Sequence, residues 1–588
     1  MKYTVADFVL ERLTAWNVER VFGYPGDGIN GLMGAMGRAT DRFDYVRVRH
    51  EEMAAFMACG HAKFTGELGV CLATSGPGAI HLLNGLYDAR MDHVPVLAVV
   101  GQQPRSVLGS DYQQEVDLPS LFKDVARYVQ TITTPAQARH VVDRAIRIAL
   151  AERTVCCVIV PNDVQELPAM PHPPRKHGDV LSGVRPAYAR PVPTDEDIQR
   201  AAEVLNQGRR VAMLVGAGAL HAGKQVREVA ECLGAGVAKA LLGKAALPDE
   251  LPWVTGAIGL LGTRPSWKLM DECDTLLLVG TTMPYVEFLP EEGKARAVQI
   301  DIDPANVSMR YPTEVNLIGD SAQVLGRLLP LLRKKDNADW RERIELDVRK
   351  WWRSLEAAAM EPAEPINPQR IFWELSACLP DDVIICGDCG SHTNWYARHV
   401  RLREGMMASL SGKLASMGGG MPYGIAAKMA HPDRPVLVIV GDGAMQMNGN
   451  AELVTVKQYW RRWKHPGFVV MVLANRDLNL VTWEQRGQGG DPKFAPAQDV
   501  EEFPYARYAE LLGFRGIRVD RPENVAGAWR EAFAAQAPTL IEFAADPNVP
   551  PVPPRVGFEL LGNYLAALGK DDPDASAVLR QTLREVFS

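Results

Sequence analysis

The chain has 588 residues, of which 47% are hydrophobic and 23% charged, and its formal net charge is −7. At about 150 residues per domain, this length predicts about three or four domains. The acidic balance argues against nucleic acid or an anionic membrane as a partner. No apolar stretch reaches the roughly 18 residues of a membrane-spanning helix, and the first residues lack a signal-peptide pattern. Nine cysteines, several within apolar runs, indicate free thiols in a reducing compartment, so we expect a cytoplasmic protein.

Three segments alternate helical patterns with short, nearly unbroken apolar runs, which is typical of buried parallel strands separated by helices. They cover residues 1–180, 193–335 and 366–548, with a proline-rich linker over 161–193 and a tail over 549–588. We therefore predict an α/β protein of three doubly wound parallel-sheet domains. The predicted strands are 45–48, 70–73, 94–100 and 155–160 in the first domain, 210–215, 275–279 and 297–302 in the second, and 383–386, 436–440, 468–473 and 539–543 in the third.

Two neighbouring strands of the third domain end in residues that suit a phosphate and a metal. The strand 436–440 runs into Gly441-Asp442-Gly443-Ala444, and the strand 468–473 ends just before Asn475. Glycines at a strand end let backbone amides turn toward a phosphate, while a carboxylate and a carboxamide can supply oxygen ligands to Mg²⁺. Gly-Asp-Gly alone is most often an ordinary turn, and the asparagine after the next strand favours the metal site.

Gly441-Asp442-Gly443 followed by Asn475 resembles the thiamin diphosphate motif, and the segments 446–453 and 480–482 resemble the branch that contains pyruvate oxidases and acetolactate synthases. The resemblance extends over nearly the whole chain. It implies that thiamin diphosphate and Mg²⁺ are cofactors, and that the metal ligands are Asp442, Asn475 and the backbone carbonyl of Asp477. It also implies a homodimer or homotetramer, because family active sites lie between the first domain of one subunit and the third domain of another.

The resemblance assigns a catalytic role to a glutamate of the first domain. Glu51 and Glu52 follow Arg49-His50 after the strand 45–48, where acidic residues most often serve the dipole of the next helix. In this family the first glutamate after Arg-His bonds the aminopyrimidine ring and promotes ionisation of the cofactor, so we expect Glu51 rather than Glu52 to act. Further active-site residues implied are Gln114 and Phe122, and cofactor contacts implied are Gly76, Pro77, Asn84, Ser391, His392, Ala415, Met417, Gly441, Gly443 and Ala444.

The middle domain carries features typical of a flavin site. Gly216 and Gly218 begin like a dinucleotide fingerprint, although His221 stands at the third glycine position, so that pattern is weak evidence. Gly280-Thr281 with the three aspartates downstream resembles the FAD-contacting set of quinone-reducing pyruvate oxidases. The expected FAD contacts are Gly216, Gly218, Gly280, Thr281, Asp301, Asp303 and Asp320. Because related synthases also keep FAD, the flavin does not fix the reaction.

Glu484 favours an oxidase, because oxidases of this branch have a glutamate there and synthases a tryptophan. We expect decarboxylation of a 2-oxo acid, with pyruvate as the expected substrate, and oxidation of the resulting enamine by FAD, with quinone or oxygen as final acceptor. Two alternatives stay open: a carboligase in which Trp483 takes the synthase role, and a non-catalytic cofactor-binding subunit. In the resembling oxidases the tail moves to the membrane, which implies weak peripheral contact at its inner face. The tail's predicted apolar stripe is Val578, Leu579, Leu583, Val586 and Phe587.

Overall fold

The computed structural model describes residues 3–173, 180–184, 191–336, 338–554 and 558–587, and for 558–559 and 583–587 it describes the backbone alone. Its strands form three six-stranded sheets in which every pairing is parallel. Helices flank each sheet, so the predicted fold class of three doubly wound α/β units is confirmed. Two prolines of the predicted linker, Pro174 and Pro186, lie outside the described residues.

The first sheet has the strand order β2-β1-β3-β4-β6-β5. Its unbroken apolar strands, such as β4, are buried along their whole length because helices cover both faces. The elements are α1 (Val5–Ala15), β1 (Arg20–Gly23), α2 (Asn30–Arg38), β2 (Asp44–Arg47), α3 (Glu51–Thr65), β3 (Gly69–Ala73), α4 (Pro77–His81), α5 (Leu83–Met91), β4 (Val96–Gln102), α6 (Leu118–Phe122), β5 (Tyr128–Thr131), α7 (Ala138–Glu152), β6 (Val155–Pro161) and α8 (Asn162–Gln165).

The second sheet has the order β12-β11-β10-β7-β8-β9, and a long helix, α13, leads from it to the third unit. The elements are α9 (Asp195–Gln207), β7 (Val211–Val215), α10 (Gly223–Leu233), β8 (Gly236–Lys239), β9 (Val254–Ala257), α11 (Arg264–Glu272), β10 (Thr275–Val279), β11 (Arg296–Asp301), β12 (Val315–Ile318), α12 (Ser321–Leu328) and α13 (Ala338–Met360).

The third sheet has the order β14-β13-β15-β16-β18-β17, and two tail helices follow it. The elements are α14 (Pro368–Cys378), β13 (Ile384–Gly387), α15 (Ser391–His399), β14 (Met407–Ser409), α16 (Gly420–Ala430), β15 (Val436–Gly441), α17 (Asp442–Ala444), α18 (Asn450–Tyr459), β16 (Phe468–Ala474), α19 (Asn479–Glu484), α20 (Ala495–Gln498), α21 (Tyr505–Leu511), β17 (Arg515–Val519), α22 (Val525–Ala534), β18 (Thr539–Ala544), α23 (Phe558–Leu568) and α24 (Ala575–Phe587).

Each sheet has a switch point, a place where the chain leaves one side of a strand and resumes on the other. The switch points lie between β1 and β3, between β7 and β10, and between β13 and β15. Connections on opposite sides of the sheet open a crevice at the carboxyl ends of those strands, and ligands of open α/β sheets bind there. The strand order therefore marks three crevices before any side chain is considered.

The first and third units share one hydrophobic core, in which α3 packs along α16. Small residues permit the close approach: a Cβ on Gly60 of α3 would lie 3.1 Å from the Cα of Tyr423 of α16. This packing brings the start of α3 toward the start of α16. Within the part of the chain that the structure describes, no helix combines the length and apolar character needed to cross a membrane.

Candidate functional site

The expected metal ligand Asp442 begins the turn after β15, beside the third switch point. Its carboxylate accepts hydrogen bonds from the backbone N–H of Gly443 at 2.9 Å and of Arg476 at 2.6 Å. Burial raises the pKa of Asp442 to about 6 against the opposing effect of these bonds. A carboxylate whose charge is disfavoured by burial is stabilised by a cation, and its oxygens are the ligands that Mg²⁺ prefers. The site therefore fits a divalent cation.

Asn475 and Asp477 follow β16, the strand next to β15. Asn475 is buried, and its Oδ1 accepts the backbone N–H of Asp477 at 3.2 Å. The carboxylate of Asp477 is already neutralised by the ammonium of Lys493 at 3.1 Å. It also accepts hydrogen bonds from Asn479 at 3.0 Å and Thr482 at 2.8 Å. The group that Asp477 can offer a metal is thus its backbone carbonyl, which is the group expected from the resemblance.

Asp388 begins the loop that resembles a diphosphate loop, but the sequence assigned the contacts of that loop to Ser391 and His392 and gave Asp388 no role. It follows β13, the strand across the switch point from β15, and is 1% exposed. Its carboxylate accepts backbone N–H groups from Cys389 at 2.7 Å, Gly418 at 2.9 Å and Gly420 at 2.7 Å. Asp388 thereby fixes a glycine turn against the loop after β13. The signal that could have revealed it is an aspartate directly after a buried strand, which is the pattern of Asp442.

We call the loop 388–392, the turn 418–420 and the turn 441–444 the cradle. His392 contributes an imidazole Nε2 that is buried and has no hydrogen-bond partner among the described residues. Burial lowers the pKa of His392 to about 4, so the ring is neutral. A Cβ on Gly441 would lie 3.3 Å from His392 Nδ1, which places the ring against the metal turn. An unpartnered buried nitrogen marks room for a polar ligand, and the backbone amides of the cradle can donate to a diphosphate oxygen there.

The other expected contacts of the third domain surround the cradle. Met417 extends to the metal turn, since its Cε would lie 3.3 Å from a Cβ on Gly443. Ala415 has a φ of 52°, a left-handed conformation that is uncommon outside glycine and clusters at functional sites. Ser391 begins α15 and Ala444 ends α17, and both are buried.

Glu51 is the first residue of α3, and its side chain is 11% exposed. Its Oε2 lies 2.9 Å from Nδ1 of His81, the last residue of α4. Its Oε1 would lie 3.1 Å from a Cβ on Gly78, so the missing side chain there leaves room for the carboxylate. Sequence reasoning missed His81, because only the fold brings the ends of these two helices together.

Asn84 connects the first domain to the third. Its amide nitrogen donates to the Glu52 carboxylate at 2.6 Å and to the Ser416 hydroxyl at 2.9 Å. Glu51 and Glu52 thus have different partners, although they are adjacent in the chain. Only Glu51 bonds to the histidine that follows the Gly-Pro-Gly loop.

The first-domain loop expected to approach the cofactor is bent sharply at Gly76. This residue has a φ of 59°, and a Cβ on it would lie 2.8 Å from the Cβ of Gln114. Pro77 follows in the first turn of α4. Gln114 has a buried Oε1 without a described partner, so it can bind a ligand. Phe122, in contrast, is fully buried in the core that the first and third units share.

Glu484 ends α19 and lies near residues from two domains. Partial burial raises the pKa of its carboxylate. The charge of that carboxylate adds to the effect of burial on Cys389 of the cradle and Tyr285 of the middle domain, and the pKa values of both are raised. The neighbouring Trp483 points elsewhere: it is 9% exposed and stacks on Tyr564 of the tail, with ring centroids 5.8 Å apart. Glu484 is therefore near the cradle and the middle domain, while the tail covers Trp483.

The glycines of the middle domain meet at its switch point. The N–H of Gly218 donates to the carbonyl of Gly280 at 3.0 Å, and a Cβ on Gly216 would lie 2.4 Å from that carbonyl. Gly280 has a φ of 55°, and Thr281 beside it is buried. These glycines are thus required for the close approach of two loops at the crevice floor.

The carboxyl ends of the middle strands combine aspartates with exposed apolar side chains. Asp301 accepts the N–H of Asp303 at 3.0 Å, and Asp320 caps α12 and lies 2.7 Å from His221. An apolar surface with a few polar groups around a switch point fits a large, flat cofactor such as FAD. The exposed apolar residues near these strand ends are Leu220, Leu260, Tyr285, Val286 and Ile302.

Three family models match the chain in the order of its three sheets. The N-terminal thiamine pyrophosphate binding domain matches residues 3–121, the central domain of these enzymes matches 198–328, and the C-terminal binding domain matches 388–543. The chain belongs to the thiamin diphosphate-dependent enzyme family, as its motifs predicted.

Relatives match over almost the full length. The Bacillus subtilis (strain 168) protein named "Putative thiamine pyrophosphate-containing protein YdaP" is 32% identical over 94% of this chain and 94% of its own. The pyruvate oxidase of Lactiplantibacillus plantarum is 30% identical over 91% of this chain and 87% of its own. The acetolactate synthase isozyme 3 large subunit of Escherichia coli (strain K12) is 30% identical over 90% and 92%. Identity alone does not separate oxidase from synthase.

Proposed function

We propose that the protein is a thiamin diphosphate- and Mg²⁺-dependent enzyme that decarboxylates a 2-oxo acid, with pyruvate as substrate, and transfers the electrons to FAD. When bound, thiamin diphosphate supplies an electron sink for decarboxylation. Asp442, Asn475 and the Asp477 carbonyl hold the metal, while the cradle with His392 binds the diphosphate. Glu51 exchanges a proton with the aminopyrimidine ring.

The observation that carries the oxidase proposal is the position of Glu484. Its carboxylate is near enough to act electrostatically on both Cys389 of the cradle and Tyr285 of the middle domain. A group there can hold or move a proton beside both proposed cofactors. Trp483, which a carboligase would need in its substrate pocket, is instead buried against Tyr564. We propose a homodimer or homotetramer as the working unit, with quinone or oxygen as acceptor.

Anaerobic reduction of the flavin by pyruvate tests this function. The purified protein, loaded with thiamin diphosphate, Mg²⁺ and FAD, is mixed with pyruvate without oxygen, and flavin absorbance is followed. Bleaching with formation of acetate or acetyl phosphate supports the oxidase. Formation of acetolactate without bleaching supports the carboligase, and absence of any pyruvate consumption contradicts both enzymes.

Glu51→Gln, with Glu52→Gln as matched control, tests the assignment of the catalytic glutamate. Glutamine keeps the size but cannot exchange a proton, so Glu51→Gln should lower turnover by roughly 10²- to 10⁴-fold while the cofactor still binds. Equal activity of Glu51→Gln and the unmodified enzyme would refute the role.

A further inference from the structure

A histidine outside the expected active-site set contacts the proposed catalytic glutamate. His81 ends α4, five residues after the Gly-Pro-Gly loop begins its bend at Gly76, and its Nδ1 lies 2.9 Å from Oε2 of Glu51. The Glu51 side chain is 11% exposed and the His81 side chain 40% exposed. The pair is therefore partly shielded from water, which strengthens its hydrogen bond relative to one on an open surface.

The chemistry of the two groups fixes the direction of this hydrogen bond. An ionised carboxylate can only accept, so the proton lies on Nδ1 of His81 whenever Glu51 is charged. The bond engages one oxygen of the carboxylate, and the other oxygen lies against Gly78, where a Cβ would be 3.1 Å away. Glu51 is thus held from one side by His81 and confined on the other by the backbone of the cofactor loop.

The ring of His81 is itself held in place by His50. The two rings lie 4.2 Å apart between centroids at an interplanar angle of 30°. His50 is the N-cap of α3, and its Nδ1 accepts the backbone N–H of Glu52 at 3.3 Å. Because that nitrogen is an acceptor, the proton of a neutral His50 lies on Nε2. His50 therefore orients the ring of His81 without competing for the carboxylate of Glu51 through Nδ1.

We propose that His81 is a positioning residue, which donates its Nδ1–H to Glu51 and aims the free carboxylate oxygen at the aminopyrimidine nitrogen. This inference rests on the proposed function, since it assumes that Glu51 exchanges a proton with the cofactor. Misplacing a catalytic group by about 1 Å can cost roughly 100-fold in rate. We therefore expect removal of the His81 ring to slow proton exchange at the cofactor while its binding is preserved.

The test compares His81→Ala and His81→Asn with the exposed histidine His172 as control, changed to alanine. Three quantities are measured in the full-length holoenzyme: turnover, the affinity for thiamin diphosphate, and the deuterium exchange rate of the reactive cofactor proton. His81→Ala should lower turnover and the exchange rate together by roughly 10- to 100-fold, with KM and cofactor affinity within about twofold. His81→Asn, whose amide N–H can replace Nδ1–H, should recover part of the loss, and His172→Ala should behave like the unmodified protein.

The double variant with Glu51→Gln separates positioning from a general structural effect. If His81 acts only through Glu51, then adding His81→Ala to Glu51→Gln causes no further loss of exchange rate. An additive loss, or a normal exchange rate in His81→Ala, overturns the inference. Should Glu51→Gln itself keep full activity, the proposed role of Glu51 fails instead, so the two failures are distinguishable.

Discussion

The tail is fastened to the third domain by a buried ion network that a single substitution should open. Arg486 donates to the Asp572 carboxylate through Nε at 2.8 Å and Nη2 at 2.7 Å, and the two side chains are 1% and 0% exposed. The backbone N–H of Lys493 adds a bond to Asp572 at 2.9 Å. Asp574, 31% exposed, accepts from Arg486 at 3.1 Å and is the remaining counter-charge.

Asp572→Asn keeps the size of the side chain and removes its charge, which leaves the buried Arg486 with Asp574 as its nearest acid. Removing one partner of a buried ion pair costs about 3–5 kcal/mol. We expect a cost near the lower value, because Asp574 and the amide oxygen of the new asparagine still contact Arg486. About 3 kcal/mol corresponds to roughly a 100-fold increase in the open population of the tail. Asp571→Asn changes an exposed neighbour and is the matched control.

Hydrogen exchange measured by mass spectrometry reads this opening directly. Amides of 560–582 should exchange roughly 100-fold faster in Asp572→Asn, while those of β15 and β16 stay unchanged. The neighbouring turn 485–489, on which α23 packs, should also become less protected. Unchanged exchange in the tail, or equal acceleration across all three sheets, would refute the network as a local fastening.

The remaining predictions concern the metal, the domain interface and the tail. Asp442→Ala removes a charged ligand that water does not replace, so calorimetry should detect no retention of thiamin diphosphate with Mg²⁺; full binding would contradict the site. Burial raises the pKa of Glu452 from 4.5 to about 7, so the folded state keeps a proton that the unfolded state loses as the pH rises through this range, and this group alone lowers stability by up to about 3 kcal/mol; Glu452→Gln should make the fall in urea-unfolding stability with rising pH less steep, and an unchanged steepness would contradict it. Deleting residues 575–588 should leave pyruvate-driven flavin reduction intact or faster but lower quinone reduction with lipid vesicles present, and equal quinone reduction would make the tail a structural lid.

The structure corrects the expected apolar stripe of the tail in part. Val578 is buried beside Trp483, but Leu579 is 41% exposed and Gln581 is buried, with its amide donating to Asp546 at 3.1 Å. The side chains of Leu583, Val586 and Phe587 lie outside the described residues, as does Ser588. Helical spacing predicts which residues share one face of a helix. The surface against which the helix packs decides which of those residues are buried.

The sequence by itself determined the strands that are buried on both faces. Runs such as Val436–Gly441 and Phe468–Ala474 are of strand length and rich in valine, which favours a strand inside a sheet over a buried helix. It also predicted that Asp442 and Asn475 follow neighbouring strands, and the two strands pair in the structure. Edge strands such as Arg515–Val519, with charged and half-exposed residues, escaped prediction because pairing rather than hydrophobicity defines them.

Only the tertiary structure decided which residues from distant segments meet. The strand order creates the switch point that places Asp388 opposite Asp442, and helix packing brings His81 to Glu51. The same packing buries Phe122 in the core and covers Trp483 with the tail. Local sequence carries the periodicity of each element, but contacts across the chain depend on how elements pack together, and that information is spread over the whole fold.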